Sequence, residues 1–549
     1  MQDYPWLKHY PEGLKYISGD YPESSLYSFF ENTLKKYPKN IGLIFFNRKT
    51  DYSTLEKKVN SFAASLKKLG LEKNDRIALI LPNCPQFVIA YFAALKLGAA
   101  IIPLNPLFSA KEIHYCLNDS RAKILFTLDA FSKKVLEAKE NTKIEKAIFT
   151  NISDEFPLLL KLVYRIKTVK EYFENNAVKN HYSFKSLLKN NDNIETALIN
   201  PKTDCACLMY TSGTTGEPKG VPLTHYNLTS NVFQISDYIT DCLTEAKDSQ
   251  IGVLPFFHIY GLTFVLNLSI YKAFPLTLMP KFNTKPFLKA IEKDKINVVA
   301  GIPAIYAALF KKDLSKYNLS SVRFWGSGAA SCPASTIEQM KKISKGIFIE
   351  AYGLTETSPI VIMNPPKGMQ KVESIGIPIP NTFCKIVDLQ TNQEVGPNQI
   401  GELIVKGPQV FNGYWEKPEA TKSVIDENRW FHTKDIASMD EDGFFYIEGR
   451  LDDMINVRGE KAWPQDIEEV LREHPAIKDA AVIGIPDDYY GQIPKAFIVA
   501  NENISEEEII NFCKNNLADY QIPRKIEFIE EIPKSPLGKI LHYLLRNSN

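Results

Sequence analysis

The residues of this chain that are best suited to chemistry begin with a loop at 210–221, whose sequence is YTSGTTGEPKGV. Seven of its twelve residues are Gly, Ser or Thr, and one lysine, Lys219, stands near its end. The loop follows the apolar run 206–209, which predicts a buried strand. Small residues let several backbone N–H groups and hydroxyls approach one anion together, so the loop predicts phosphate binding.

The spacing of this loop differs from that of the common phosphate loop, in which Gly, four residues and Gly-Lys-Ser/Thr follow one another. Counted from Gly213, the second glycine position is Pro218, and Gly220 replaces the Ser or Thr that would hold Mg²⁺. The loop therefore predicts a phosphate cradle of a different kind.

The elements that must position this loop alternate between strand and helix. Strand-like and helical runs follow one another from residue 41, and the rhythm resumes over 205–350, which predicts βαβ units and a mostly parallel sheet. Short strands between Gly and Pro turns over 372–448 predict a small β-rich unit, and a β/α pattern returns beyond Arg450. We expect an α/β fold with a large N-terminal body of βαβ sheets, a small β-barrel-like unit and a small α+β C-terminal domain.

Composition narrows the class of protein. The 549 residues are 44% hydrophobic and 23% charged with a net charge of +1, so no nucleic-acid partner is expected. The eight cysteines show no CxxC spacing, and the N-terminus lacks an apolar run, which together favour a cytoplasmic location. The apolar and basic stretch 156–165 suits either a peripheral membrane contact or a solvated helix with one packed face.

Seven motifs fall in one order along the chain and resemble the acyl-adenylate-forming superfamily, which contains acyl-CoA synthetases, amino-acid adenylation domains and luciferases. They are YTSGTTGEPKG (210–220), LPFFHIYGL (254–262), FWGSGAASCP (324–333), EAYGLTETSP (350–359), WFHTKDI (430–436), YIEGRLDDMINVRGEKAWPQDIE (446–468) and PKSPLGKI (533–540). The resemblance covers nearly the whole chain and is strongest for long-chain fatty-acid–CoA ligases. It implies an AMP-binding domain over 1–449 with a β-rich part at about 360–449, a hinge at 450–452 and a mobile C-terminal domain over 453–549.

The resemblance implies a set of nucleotide-binding residues, with ATP, Mg²⁺ and the co-substrate CoA as ligands. In such enzymes the loop grips the β- and γ-phosphates, an aromatic packs on adenine, a threonine bonds the α-phosphate, a glutamate holds Mg²⁺, and an acid with a basic partner binds the ribose. The matching residues are Thr211, Ser212, Gly213, Thr214, Thr215, Gly216, Lys219, Gly328, Ala329, Glu350, Ala351, Tyr352, Gly353, Thr355, Glu356, Asp435 and Arg450.

Two departures from the motifs concern the local backbone. The chain has SGAAS at 327–331 where GGAP is frequent, and Lys434 where the HTGD motif has glycine. A glycine is needed there only if the backbone requires φ > 0. We favour a Lys434 that is a solvated charge near a phosphate.

The resemblance makes Lys539 the principal catalytic residue, because it bridges the substrate carboxylate and the α-phosphate during adenylation. The C-terminal domain then rotates about Asp452 and presents Arg458, Gly459 and Lys461 to CoA. His258 borders the acyl carboxylate and gates its tunnel, although a histidine among aromatics is most often a core residue. The acyl pocket is assigned to Tyr260, Gly261, Thr263, Tyr306 and Gly326.

The predicted reaction is ATP-dependent activation of a carboxylic acid through an acyl adenylate, followed by transfer to CoA. The uncharged pocket favours a long- or medium-chain fatty acid. An aryl or hydroxycinnamate-type CoA ligase, an acyl-AMP or acyl-carrier-protein ligase, and a non-catalytic acyl or nucleotide sensor remain alternatives. Acyl chain length, acceptor and oligomeric state stay open.

Overall fold

The computed structural model describes residues 4–17, 19–167, 181–211, 218–458, 460–487, 489–535 and 538–546, with the backbone alone at 165–167. The predicted ligand residues Ser212, Gly213, Thr214, Thr215, Gly216 and Gly459 lie outside the described residues.

A seven-stranded sheet carries the first half of the N-terminal body. Its neighbouring strands are parallel except for the last pair, which forms an antiparallel hairpin. In spatial order the strands are Tyr182–Ser183, Lys146–Thr150, Ile124–Leu128, Arg76–Ile80, Ala100–Pro103, Cys205–Thr211 and Lys219–Thr224. The hairpin at the sheet edge brackets the predicted phosphate loop.

A nine-stranded sheet forms the second layer. Its central strands are parallel, and antiparallel pairs close both edges. In spatial order the strands are Ile377–Pro378, Ile360–Met363, Ile347–Gly353, Phe324–Ser327, Val298–Gly301, Gln250–Gly252, Leu276–Leu278, Ile41–Phe45 and Arg48–Asp51. The short strands at 360–363 and 377–378 join this sheet.

Helices cover these sheets, as the βαβ rhythm predicts. The run PQFVIAYFAALK forms the helix Pro85–Lys96, in which every residue is buried, because it is apolar on all sides. The other helices of the body are Leu26–Lys36, Tyr52–Lys68, Ala110–Ser120, Ser132–Ala138, Leu158–Lys167, Phe184–Leu187, His225–Tyr238, Leu268–Tyr271, Thr284–Asp294, Pro303–Phe310 and Ala334–Ile343, with a π-helix at Gly261–Asn267. Throughout the described residues, no helix has the length and apolarity needed to cross a bilayer.

A four-stranded antiparallel sheet makes up the β-rich unit. Its strands follow one another in chain order, as Phe383–Val387, Gly401–Lys406, Phe431–Met439 and Phe445–Arg450, and the helix Pro418–Lys422 lies between the second and third. Asp435 pairs with Arg450 in the register of the last two strands, so two predicted nucleotide ligands face each other from neighbouring strands.

The C-terminal unit has its own sheet and its own apolar cores. Its strands are Glu460–Ala462, Ile455–Val457, Gly491–Ala500 and Ile477–Asp487 in spatial order, with Lys525–Phe528 parallel to Gly491–Ala500. Its helices are Pro464–Glu473, Glu506–Asn516 and His542–Arg546. A single 3₁₀ turn, Leu451–Asp453, connects it to the β-rich unit. The predicted mixed α/β class is confirmed.

Candidate active site

The described ends of the phosphate loop are held by its hairpin. Thr211 pairs with Lys219 and Tyr210 with Gly220, so the two strands that flank the loop are paired up to its described ends. The Lys219 ammonium lies 5.2 Å from the centroid of the Tyr414 ring, within cation–π range. A lysine is thereby held beside the loop that the sequence assigns to phosphate.

Two residues that sequence reasoning missed, Tyr414 and Trp415, contact the loop end of this hairpin. The Trp415 backbone N–H donates to the Gly220 carbonyl over 2.9 Å, and its indole N–H donates to the Asp119 carbonyl over 3.1 Å. The Tyr414 hydroxyl donates to Glu356 Oε1 over 2.9 Å. The sequence offered one signal for them: two adjacent aromatic residues stand in the polar segment FNGYWEKPE, and aromatic residues in polar surroundings are frequent at binding sites.

Glu356 lies in the 3₁₀ turn Thr355–Thr357, directly after the strand Ile347–Gly353. Only 9% of its surface is exposed. The turn is tight, since a Cβ built on Gly353 would lie 1.9 Å from the Pro359 carbonyl oxygen. A side chain at Gly353 would therefore displace the turn that carries Thr355 and Glu356.

Asp435 and Arg450 form the second charged feature. Arg450 Nε lies 2.9 Å from Asp435 Oδ1, and the Tyr352 hydroxyl donates to Asp435 Oδ2 over 2.5 Å. The carboxylate raises the pKa of Arg450, while burial and the same carboxylate raise the pKa of Tyr352 well above its ordinary value. A phenol and a carboxylate thus stand together at the position assigned to adenosine.

The prediction that Lys434 needs no positive φ is wrong. Its φ is +61°, in the left-handed region that favours glycine. Nor is it simply solvated: its ammonium lies 3.2 Å from Asp452 Oδ1, and 38% of its side chain is exposed. The glycine pattern of the motif therefore reflects a real backbone requirement, which this chain meets with lysine.

Lys539 stands in the cleft between the two units. The residue as a whole is exposed, but its ammonium lies among protein groups, and its backbone N–H donates to Ser535 Oγ over 3.1 Å. Desolvation by the cleft, followed by the charge of Arg450, lowers the pKa of Lys539 to about 8, although Asp435 and Glu356 act in the opposite direction. The structure thus brings Lys539 near Arg450, Asp435 and Glu356, which stand about 90, 100 and 180 positions earlier in the sequence.

His258 is half-buried beside this cleft. Its Nδ1 accepts the Tyr260 backbone N–H over 3.2 Å, which leaves the ring proton on Nε2. Burial, followed by the charge of Lys539, lowers the pKa of His258 to about 4. The imidazole is therefore neutral near pH 7 and can donate one hydrogen bond from Nε2.

The predicted acyl-pocket residues cluster around Tyr260. A Cβ on Gly326 would lie 3.3 Å from the Tyr260 hydroxyl oxygen, so the tyrosine passes over this glycine. The Tyr306 hydroxyl donates to the Gly326 carbonyl over 2.5 Å, and Thr263 is fully buried. Gly261 is required for packing, since a Cβ built on it would lie 2.2 Å from the Pro255 carbonyl oxygen at the start of the π-helix Gly261–Asn267.

The segment assigned to adenine contains two uncommon features. Ala329 has φ +67°, and a Cβ on Gly328 would lie 3.1 Å from the Ala351 carbonyl oxygen. Glu350 accepts the Cys332 backbone N–H over 3.3 Å, and burial raises the pKa of Glu350 to about 7. The SGAAS variation is thus accommodated by a left-handed alanine.

Two of the residues assigned to CoA, Arg458 and Lys461, lie beside or within the paired strands Ile455–Val457 and Glu460–Ala462 of the C-terminal unit. Arg458 has φ +54°, and its guanidinium lies 3.4 Å from the Tyr489 ring centroid. Lys461 pairs with Asn456 across these strands and is exposed. The strand pair follows the turn containing Asp452, whereas Lys539 comes from the far end of the same unit.

The donor set suits a magnesium ion that arrives with a nucleotide. Glu356 supplies one carboxylate, with Oε1 bonded to Tyr414, and no cluster of three or more His, Cys, Asp or Glu able to hold a metal occurs in the part of the chain that the structure describes. Magnesium is commonly bound by one or two carboxylates plus substrate phosphates and water. The site therefore fits Mg²⁺ as a companion of the substrate.

Comparisons with known proteins agree with this arrangement. The model of the AMP-binding enzyme family matches residues 30–415, and that of the AMP-binding enzyme C-terminal domain matches 466–539. A long-chain-fatty-acid–CoA ligase of Bacillus subtilis is 36% identical over 98% of this chain and 96% of its own, and one of Escherichia coli O6:H1 is 34% identical over 99% and 98%.

Among solved structures, the o-succinylbenzoate coenzyme A synthetase of Bacillus subtilis, in complex with ATP and magnesium ion, has a TM-score of 0.78. It is 27% identical and covers 94% of this chain and 99% of its own. The resemblance inferred from the seven motifs is confirmed, and the chain belongs to the AMP-binding enzyme family.

Proposed function

We propose that this protein is an acid–thiol ligase that joins a long- or medium-chain fatty acid to CoA through an acyl adenylate. The observation that carries the proposal is the convergence of Lys539, from the end of the chain, on Asp435, Arg450 and Glu356. Relatives named long-chain-fatty-acid–CoA ligase cover nearly the whole chain and support the choice of acid.

In the first half-reaction the fatty carboxylate attacks the α-phosphorus of ATP. A new C–O–P linkage forms, the bond from the α-phosphorus to the bridging oxygen breaks, and pyrophosphate leaves. Both reactants are anions, so the chief requirement is oriented positive charge. Lys539 supplies that charge between carboxylate and α-phosphate, Lys219 stands at the loop that holds the leaving group, and Thr355 bonds the α-phosphate.

Asp435 binds the ribose hydroxyls in this proposal. The carboxylate is already oriented by Arg450 and by the Tyr352 hydroxyl, so little reorganisation is needed when the nucleotide binds. Glu356 would hold magnesium, which when bound offsets phosphate charge. His258, neutral and protonated on Nε2, donates toward the carboxylate end of the acid.

In the second half-reaction the CoA sulfur attacks the acyl carbon, a C–S bond forms, the C–O bond to AMP breaks, and the thiol proton passes to solvent. The proposal requires rotation about 450–452 that withdraws Lys539 and presents Arg458, Gly459 and Lys461. The single 3₁₀ turn between two separately cored units is suited to such a hinge.

An aryl acid is the second candidate for the substrate. Two buried aromatic side chains, Tyr260 and Tyr306, are among the residues predicted to line the acyl pocket, and a probable 4-coumarate–CoA ligase of Dictyostelium discoideum is 33% identical over 89% of this chain. The long-chain relatives are more similar and cover more of the chain, so we place fatty acids first.

The test is pyrophosphate release with ATP, Mg²⁺ and a panel of acids of increasing chain length, including hydroxycinnamates, with and without CoA. We expect the highest kcat/KM with a long- or medium-chain fatty acid, on the order of 10⁴ M⁻¹s⁻¹ or more. Release without thioester formation would indicate an acyl-AMP or carrier-protein ligase instead. An absence of release with every acid would favour a sensor.

We also propose that the protein works at the cytoplasmic surface of a membrane, which it contacts through the helix Leu158–Lys167. Among the described side chains of this helix, five apolar ones are exposed: Leu158 by 82%, Leu159 by 81%, Leu162 by 60%, Val163 by 51% and Leu160 by 37%. The partly exposed Phe46 extends the patch, since its ring centroid lies 4.6 Å from that of Phe156.

The charged side chains around this patch are suited to contact with anionic lipid headgroups. Glu155 is paired with Lys58 and Arg48, Asp154 is paired with Lys161, and Lys293 bonds the neighbouring Asn47. Cations thus outnumber carboxylates, as expected for a surface that meets acidic headgroups.

Buried side chains link the segment that precedes this helix with the loop that carries His258. Gln86 Nε2 donates to the Asn151 carbonyl over 3.1 Å, and the ring centroid of the next residue, Phe87, lies 5.4 Å from that of Phe256, with the two rings tilted. In this proposal a fatty acid leaving a bilayer enters from this side of the N-terminal body.

Vesicle co-sedimentation tests this contact. The protein is expected to bind vesicles containing anionic phosphatidylglycerol more tightly than neutral ones, and Leu158→Glu with Leu162→Glu should weaken that binding about tenfold or more. Leu198→Glu, at an equally exposed leucine outside the patch, is the matched control. Equal binding by all three proteins would reject the surface.

A further inference from the structure

Lys434 connects the four-stranded sheet to the junction with the C-terminal unit. Its ammonium lies 3.2 Å from Asp452 Oδ1, and Asp452 lies in the turn Leu451–Asp453 that follows the strand Phe445–Arg450. Both side chains are partly exposed, by 38% and 28% of their areas. The contact is therefore a partly screened ion pair between the sheet and the junction.

The backbone of Lys434 is held so that this side chain keeps its direction. Its N–H donates to Glu402 Oε1 over 2.9 Å, while the other Glu402 oxygen lies 2.8 Å from His432 Nδ1. The Thr433 hydroxyl donates to the Leu403 carbonyl over 2.7 Å. A left-handed residue persists only where its surroundings over-determine it, as they do here.

The junction that Lys434 contacts also holds the segment that carries Lys539. Arg546 lies 2.9 Å from Asp453 Oδ1 and donates to the Asp452 carbonyl over 3.2 Å. Arg546 ends the helix His542–Arg546, which begins three residues after Lys539. A contact that restrains the turn Leu451–Asp453 therefore restrains Lys539.

We propose that Lys434 is a positioning residue that acts through Asp452 and favours the arrangement in which Lys539 faces the nucleotide. This inference rests on the proposed function. Rotation about 450–452 for the second half-reaction moves Asp452 away from the sheet and breaks the ion pair. Lys434 thus favours adenylation, a bias that the glycine of the usual motif cannot supply.

Four variants separate charge from backbone conformation. Lys434→Arg keeps the charge, Lys434→Gln removes it, and Lys434→Gly and Lys434→Asn remove it while accepting positive φ. Acyl-AMP formation and thioester formation from supplied acyl-AMP are measured separately in single turnover. Exposed ion pairs contribute little free energy, so the Gln, Gly and Asn variants should slow adenylation only about two- to fivefold and should not change thioester formation. The Arg variant, which keeps the charge, should adenylate at close to the original rate.

Hydrogen exchange at 451–457 provides a readout that does not depend on activity. Loss of the pair should speed exchange there in Lys434→Gln and leave Lys434→Arg unchanged, with the difference reduced at high salt.

Three results would overturn the inference: Arg as slow as Gln, both half-reactions changed equally, or unchanged exchange in Lys434→Gln. If adenylation is slow in the other variants but normal in Lys434→Gly, backbone strain at this position, and not the charge, would be what matters. If the unaltered protein forms no acyl-AMP, the proposed function fails, and the exchange experiment still decides whether Lys434 holds the junction.

Discussion

The hydroxyl of Tyr414 donates a 2.9 Å hydrogen bond to Glu356 Oε1, which ties the predicted magnesium ligand to a residue 58 positions later in the chain. The same tyrosine ring lies beside the Lys219 ammonium. One side chain therefore connects the lysine of the phosphate loop with the carboxylate that the loop itself lacks.

Tyr414→Phe should weaken the use of magnesium. The substitution keeps the ring beside Lys219 but removes the donor that orients Glu356. We expect the Mg²⁺ concentration for half-maximal adenylation to rise about tenfold, as for other residues that orient metal ligands.

Tyr446→Phe is the matched control, because its hydroxyl bonds Asp440 away from the cleft. An unchanged magnesium requirement in Tyr414→Phe would show that the hydrogen bond does not orient the ligand.

Asp435→Asn should impair recognition of the ribose. The amide cannot pair with Arg450 as a carboxylate does, and a charged acceptor is lost, so KM for ATP should rise about 10- to 100-fold. Replacing ATP with 2′-deoxy-ATP should harm the original protein more than the variant, since the variant has already lost much of that contact.

The surface variant Asp442→Asn, which loses pairs with Lys8 and Lys371, should leave KM unchanged. If replacing ATP with 2′-deoxy-ATP raises KM by the same factor in Asp435→Asn and in the unaltered protein, the ribose assignment is incorrect.

The pH dependence of adenylation should report Lys539. The ammonium is the active form and its pKa is lowered to about 8, so kcat/KM for acyl-AMP formation should be level below about pH 7, fall to about half near pH 8 and decline about tenfold per unit well above it. His258, whose pKa is lowered to about 4, is neutral throughout this range and does not contribute.

The arginine of Lys539→Arg keeps its charge at every accessible pH. The variant should therefore be slower than the unaltered protein, but its rate should not decline above pH 8. Lys539→Ala should abolish adenylation and largely spare thioester formation from supplied acyl-AMP. Equal loss of both half-reactions in Lys539→Ala would contradict the rotation of the C-terminal unit.

Gly353→Ala should disrupt the turn that carries Thr355 and Glu356. Its Cβ would lie 1.9 Å from the Pro359 carbonyl oxygen, so the backbone must move, at a cost of about 1–3 kcal/mol of stability. A lower Tm together with a loss of adenylation is expected.

Gly396→Ala is the control, since its Cβ would meet no atom within 4 Å. Normal activity in Gly353→Ala would mean that the turn adapts without moving Glu356.

The sequence predicted the α/β class and the order of the motifs because period and turn residues are local properties. The backbone conformation of Lys434 could not be predicted from local sequence. A lysine in a strand-rich segment carries no sign of positive φ, which follows from the hydrogen bond between its N–H and Glu402, 32 residues earlier. Tyr414 and Trp415 were missed for a similar reason, since their partners lie on other strands and loops.

By itself the sequence determined which side chains are available for the proposed chemistry: a small-residue loop, an acid predicted to bind magnesium, an acid predicted to bind ribose, and a lysine near the end of the chain. The tertiary structure alone decided which of these act together. It places Lys539 in the field of Asp435 and Glu356, neutralises His258 by burial, and sets Lys434 against Asp452. Spacing along the chain cannot report such proximity, because it depends on how the separate sheets and the C-terminal unit pack across one cleft.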